Sequence, residues 1–163
     1  LFRANVREGT TIGRDCRVGG EVEASILHGF VNKYHDGFLG HSYVCPWVNL
    51  GALTTNSDLK NDYSNVSVPL EGFSINTGST KVGSFIGDHT KVGIQAVMNT
   101  GSIYGICASV FAGSGPLPKR VANFAFGESR ARIDAVIDTA HIVMRRRGQE
   151  LTAAMESRIR ELY

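Results

Sequence analysis

Two short segments carry the residues that could do chemistry: NKYHDGFLG at residues 32–40 and VNLGALTTN at residues 48–56. The first contains His35 and the second Asn49. An imidazole with an ordinary pKa near 6.5 can take a proton at neutral pH, so His35 is a candidate general base. An asparagine amide offers both donor and acceptor, and Asn49 could orient the group that attacks. Spacing alone equally describes a surface-loop histidine, and on spacing the two readings stay open. The three cysteines, Cys16, Cys45 and Cys107, are odd in number and lack any metal-ligand spacing. Cys16 and Cys107 read as buried space-fillers of a reducing cytosol.

The elements that must position these residues repeat every six positions. The cleanest run is Ile86, Val92, Met98, Tyr104 and Val110, with Thr90, Ala96, Ser102, Ala108 and Ser114 in small slots four places later. An earlier run has Val6, Ile12, Val18 and Ala24, with Thr10, Cys16 and Val22 in its small slots. A short third run has Phe38, Val44 and Leu50, with Val48 and Thr54. Period six matches neither a helix nor a two-faced strand. It is the spacing of a hexapeptide-repeat parallel β-helix, in which three repeats close one triangular coil. Coils then stack at the inter-strand distance of about 4.8 Å.

Residues 26–37 (ILHGFVNKYHDG) and 56–73 (NSDLKNDYSNVSVPLEGF) break the period and read as excursions from the prism. The segment PLPKR after Gly115 reads as the end of the β-helix, since proline cannot donate into a ladder. From about Glu128 the period becomes helical, with Ile133, Val136, Ile137, Ala140, Val143 and Met144 on one stripe. Gly148 ends that helix, and Thr152 caps a second one bearing Met155, Ile159 and Leu162. Arg145, Arg146 and Arg147 are read in the last turn of the first helix, where they oppose the macrodipole. The organisation is thus a β-helix at 1–115, then a linker and helices at 116–163. A net charge of +2 is too mild and too interspersed to argue for nucleic acid. No apolar run approaches a membrane span and no signal peptide is visible. The chain opens on Leu1 inside the repeat pattern, which reads as the C-terminal part of something longer.

These motifs resemble the acyltransferase half of the bifunctional N-acetylglucosamine-1-phosphate uridyltransferase / glucosamine-1-phosphate acetyltransferase, and the wider sugar nucleotidyltransferases with a hexapeptide tail. That family reads as a histidine, a tyrosine three residues later, Leu-Gly-Asp, then Val-Asn-Ile-Gly-Ala-Gly-Thr. The matching text is His35 to His41, then Val48 to Thr54. The resemblance implies an all-β fold, a left-handed parallel β-helix of hexapeptide repeats with a C-terminal α-helical extension. It places the general base on His35, its partner on Asn49 and the phosphate-contacting lysine on Lys81, just ahead of the matching Gly87-Asp88. Backbone contacts to coenzyme A fall near Ala52 and Ala112. Departures are clear. Asn5 and Glu23 stand where the family has an arginine and a lysine, Phe38 replaces the tyrosine, and Ile94 replaces a serine near the coenzyme.

The resemblance implies acyl transfer from acetyl-CoA, or another acyl-CoA, to an amino sugar or nucleotide-linked sugar, in a cytoplasmic homotrimer with no metal. The nucleotidyltransferase half is absent from these 163 residues. The alternative is a non-catalytic β-helix that trimerises and regulates such an N-terminal nucleotidyltransferase. His35, Asn49 and Lys81 favour the enzyme, whereas Asn5, Glu23 and Phe38 favour decay or a changed acceptor.

Overall fold

The computed structural model describes residues 3–163, and it is a parallel β-solenoid followed by two helices. Strands of two to four residues alternate among three walls, and each wall is a stack of parallel strands one coil apart. The first wall begins with Ala4–Val6, Gly20–Glu23 and Phe38–Gly40, and Thr55–Asn56 pairs with Val97–Met98 further on. The second is six-stranded, from Thr11–Ile12 to Arg120–Val121. The third is seven-stranded, from Arg17–Val18 to Ala125–Phe126, closed by the antiparallel strand Ser129–Arg130.

The clean repeat run lies where its period puts it. Ile86, Val92, Met98, Tyr104 and Val110 are all buried in the prism, and Thr90, Ala96, Ser102 and Ala108 are buried beside them. Ser114, the last small slot, is exposed. The earlier runs are shifted. Val22 and Leu39 point inward in register with one another, not Ala24 or Phe38. Ala24 instead turns a corner with φ +44°. Val6, in the first coil, remains 38% exposed.

Residues 26–37 are not an excursion. Ile26–Leu27 and Asn32–Lys33 are ordinary rungs of the second and third walls. The period is hidden because Lys33 fills an inward slot, where it is only 2% exposed. Its Nζ donates to the carbonyls of Gly19 at 3.0 Å and His35 at 2.5 Å, which makes burial of an ammonium tolerable.

The second excursion is real and longer than its composition suggests. It leaves after Asn56, forms the hairpin Ser67–Pro69 with Ser74–Asn76, and rejoins the second wall at Phe85. At its root the buried Asn56 amide pairs with Gly40 as a strand would, accepting from its N–H at 2.8 Å and donating to its carbonyl at 2.9 Å. The returning chain crosses that carbonyl at Gly83, where any Cβ would collide with the Gly40 oxygen.

The proline segment does not end the solenoid. Leu117 is buried in the core and donates its N–H to Val97, and two further rungs follow at Arg120–Val121 and Ala125–Phe126. Helix α1 (Ile133–Arg145) then buries Ile137, Ala140 and Met144 against Phe30 and Trp47. Of the three arginines, only Arg145 lies within α1; Arg146 is its C-cap and Arg147 follows. Helix α2 (Ala153–Leu162) begins at Thr152, whose side chain accepts from the Met155 N–H. Cys107 is buried, while Cys16 and Cys45 are half-buried, and all three are free thiols.

Burial pushes the Lys33 pKa down to about 8 from 10.5. Between those two pH values the unfolded chain binds more protons than the folded one, so stability rises with pH. Lys33→Met should abolish that component, on the order of 3 kcal/mol across the window. Urea unfolding of both proteins at several pH values checks it: the wild type must gain on the variant as pH rises, and parallel curves contradict the burial.

Candidate active site

Four of the residues singled out in the sequence lie along one edge of the prism, where the third wall turns into the first. His35 and Asp36 form the lowest step, and the Asp36 carbonyl accepts from the Leu53 N–H at 3.0 Å. Ala52 lies on the step above, and its carbonyl accepts from the Gln95 N–H at 2.8 Å, beside Ile94. The two steps approach so closely that a Cβ on Gly51 would stand 2.6 Å from the Ile94 nitrogen. Gly93 in turn lies beneath Phe111 and Ala112. His35, Ala52, Ile94 and Ala112 therefore form a vertical column. Its side chains face water: His35 and Ala112 are exposed, Ile94 is 66% exposed, and Ala52 is half-buried. The His35 carbonyl is anchored by Lys33, and its ring meets Tyr34 edge-on at 5.5 Å.

Asn49 is not beside His35 in hydrogen-bonding terms. It lies on the outer face of the third wall between Asn32 and Lys91, and its Oδ1 accepts from Asn32 Nδ2 at 2.6 Å. Asp88, which matched the family text with Gly87, is on a different edge, where the second wall turns into the third. There it lines a cleft of about 710 Å³ between Trp47, His89 and α2. Burial raises the Asp88 pKa and pushes that of His89 down to about 4, so His89 is neutral at ordinary pH.

The residues expected to face the acceptor do converge, on the outer face of the first wall. Asn5, Glu21 and Phe38 stand in register one above another. Glu23 is two residues further along, and Lys81 reaches it from the returning excursion at 3.7 Å. Sequence reading missed Arg7, which binds Glu23 at 2.6 Å and Glu21 at 3.0 Å. An arginine is thus present on this wall, but two carboxylates already hold it. Sequence reading also missed His41 and Asp58, whose side chains meet at 2.7 Å beside Gly40. An ionised carboxylate can only accept, so His41 Nδ1 carries the proton and Nε2 is left to receive one. The HDGFLGH text held a second histidine; its partner, seventeen residues on in the excursion, gave no local signal.

The solenoid and its corner column define a chain of the hexapeptide-repeat β-helix type. Over 94 residues, 58% of its length, it is 32% identical to the bifunctional sugar-1-phosphate nucleotidylyltransferase/acetyltransferase of Sulfurisphaera tokodaii. The chain covers 23% of that protein's length. No family model matches the sequence. No helix among the described residues is long and apolar enough to cross a membrane.

Glu23 pairs with both Lys81 and Arg7, so its removal should release Lys81 and leave Arg7 to Glu21 alone. Glu23→Gln is expected to tighten binding of a sugar phosphate by roughly fivefold, the scale of one partly exposed charge. Calorimetric titration of both proteins with the same sugar phosphate checks this. Equal affinities would mean that Arg7 and Lys81 do not reach the ligand.

Proposed function

We propose that this chain is an acyl-CoA-dependent acyltransferase domain acting on an amino sugar or a nucleotide-linked sugar, joined in the whole protein to an N-terminal nucleotidyltransferase. The observation that carries the reading is the corner column: a base-bearing step at His35 lies directly beneath the backbone steps at Ala52, Ile94 and Ala112. A thioester laid along that edge, with acetyl-CoA as donor, would bring its carbonyl to the histidine. His35 takes the proton from the acceptor amine as its nitrogen attacks the acyl carbon. The C–S bond then breaks and the thiolate leaves, taking up a proton to give free coenzyme A. A backbone N–H at the corner stabilises the oxyanion, an effect on the order of 3 kcal/mol for one such donor.

The acceptor differs from glucosamine-1-phosphate held in the family's way. Arg7 and Lys81 both pair with Glu23, Asn5 cannot replace a guanidinium, and Phe38 lacks a phenol hydroxyl. That leaves an amino sugar with no phosphate at this spot, or one whose phosphates lie elsewhere as in a nucleotide-linked sugar.

The working assembly is a cytoplasmic homotrimer, in which a neighbour supplies the second wall of each cleft. On the outer face of the second wall Ile26, Tyr43, Phe85 and Ile103 stand in register, and the first three are about two-fifths exposed. That apolar ladder needs cover. It also favours a second reading, a purely trimerising module for a nucleotidyltransferase partner.

Free-thiol release from acetyl-CoA, measured across amino sugars, nucleotide-linked sugars and glucosamine-1-phosphate, tests the proposal. His35→Ala should lower turnover by roughly 10²- to 10⁴-fold while coenzyme binding survives. Loss with His41→Ala but not with His35→Ala would move the base to the His41–Asp58 pair. Absence of acetyl-CoA binding by calorimetry would leave the trimerising module. Sedimentation should give three copies at micromolar concentration, and a monomer contradicts the shared-site arrangement.

A further inference from the structure

On the outer face of the third wall, where the end of α1 passes over it, lies a cleft of about 270 Å³. Its polar lining is Arg17, Lys91, Arg146 and Arg147 with the amides of Asn32 and Asn49, and no carboxylate lines it. The register explains part of this grouping. Arg17, Asn32, Asn49 and Lys91 are successive outward rungs of one wall, so the fold stacks them whether or not their charges agree. The chain turn after α1 then adds two more guanidiniums from above.

None of the four cations forms an ion pair among the described residues, although nine such contacts occur elsewhere. Two are held by backbone carbonyls, and Arg147 also lies over the Phe30 ring at 5.9 Å. Lys91 Nζ donates to the His89 carbonyl at 2.9 Å, and an Arg147 guanidinium nitrogen donates to the Asp15 carbonyl. Each keeps further donors, because an ammonium has three and a guanidinium five. Lys91 is largely withdrawn from water, and that burial lowers its pKa. The carbonyl end of α1 supplies only about half a negative charge, against four positive ones. Like charges lining one cleft repel, and an anion among them would reverse the sign of that interaction.

We propose that this cleft binds a compact phosphate-type anion, of the class of inorganic phosphate or diphosphate, free or as the head of a small phosphorylated molecule. Its volume lies below the range of about 300–1,000 Å³ usual for drug-sized ligands, which favours a small, highly charged group. Planar guanidiniums suit phosphate oxygens in pairs. The site is separate from the His35 edge and does not depend on acyl transfer.

The chain's single tryptophan, Trp47, lines the same cleft and gives a direct readout. Pyrophosphate titrated into the intact chain at low ionic strength should change Trp47 fluorescence saturably. Arg17→Ala and Arg146→Ala should each weaken binding about fivefold or more. Arg145→Ala removes an exposed charge that does not line the cleft, and should leave binding unchanged. Thermal unfolding confirms that the variants stay folded. Parallel titrations with phosphate, a nucleoside diphosphate and a sugar 1-phosphate identify whether the free anion or a carrier is preferred. The proposal is overturned by no saturable signal up to about 10 mM, by equal weakening in Arg145→Ala, or by a response confined to long polyanions.

Discussion

Parallel pairing between coils fixes which side chain lies above which, and every other property of the molecule follows from that register. In the second wall Ile12, Leu27, Val44, Ile86, Tyr104 and Val121 are locked in one line by backbone hydrogen bonds. Inward rungs therefore bury one another without long-range search, and outward rungs become neighbours without having been chosen as pairs. The His35 edge and the stacked polar rungs Arg17, Asn32, Asn49 and Lys91 are both products of the same rule.

The cost of that rule is paid wherever an inward slot is polar. Lys33 and Asn56 occupy such slots, and each is satisfied by main-chain groups of the neighbouring coil or corner. In both cases the polar contact supports a place where the chain departs from regularity. Lys33 ties down the carbonyl of the exposed His35, and Asn56 substitutes for strand pairing at the root of the excursion.

These same residues explain how much the sequence could reveal. From Ile86 to Val110 the inward residues are apolar and evenly spaced, and periodicity alone located every one. Before that, corners differ in length, so Val22, Leu27, Lys33 and Leu39 are separated by five, six and six residues. One charged slot was enough to make an ordinary coil look like a loop. Proline misled for a related reason: the N–H that matters near it belongs to Leu117, which still reaches Val97. Of the column, His35 and Ala52 sit in text that matches the family, whereas Ile94 is a departure from it and Ala112 was expected only as a backbone contact. The bonds of Arg7 to Glu21 and Glu23, and of His41 to Asp58, join residues from different coils or from an irregular excursion. No local pattern encodes them.

The last rung of the third wall has a consequence for the solenoid as an object in solution. A stack of parallel strands ends in a row of free N–H and C=O groups, which can template another strand of the same kind. Here the chain reverses, and Ser129–Arg130 runs antiparallel along Ala125–Phe126 before α1 begins. Arg130 then lies over the ring of Tyr163 at 3.9 Å, fastening the reversal to the end of α2. A strand arriving to continue the stack would find that edge of the wall occupied by one of opposite polarity. The fold-back thus gives a structure built by unlimited repetition a definite length, and blocks end-to-end growth into fibres through this wall.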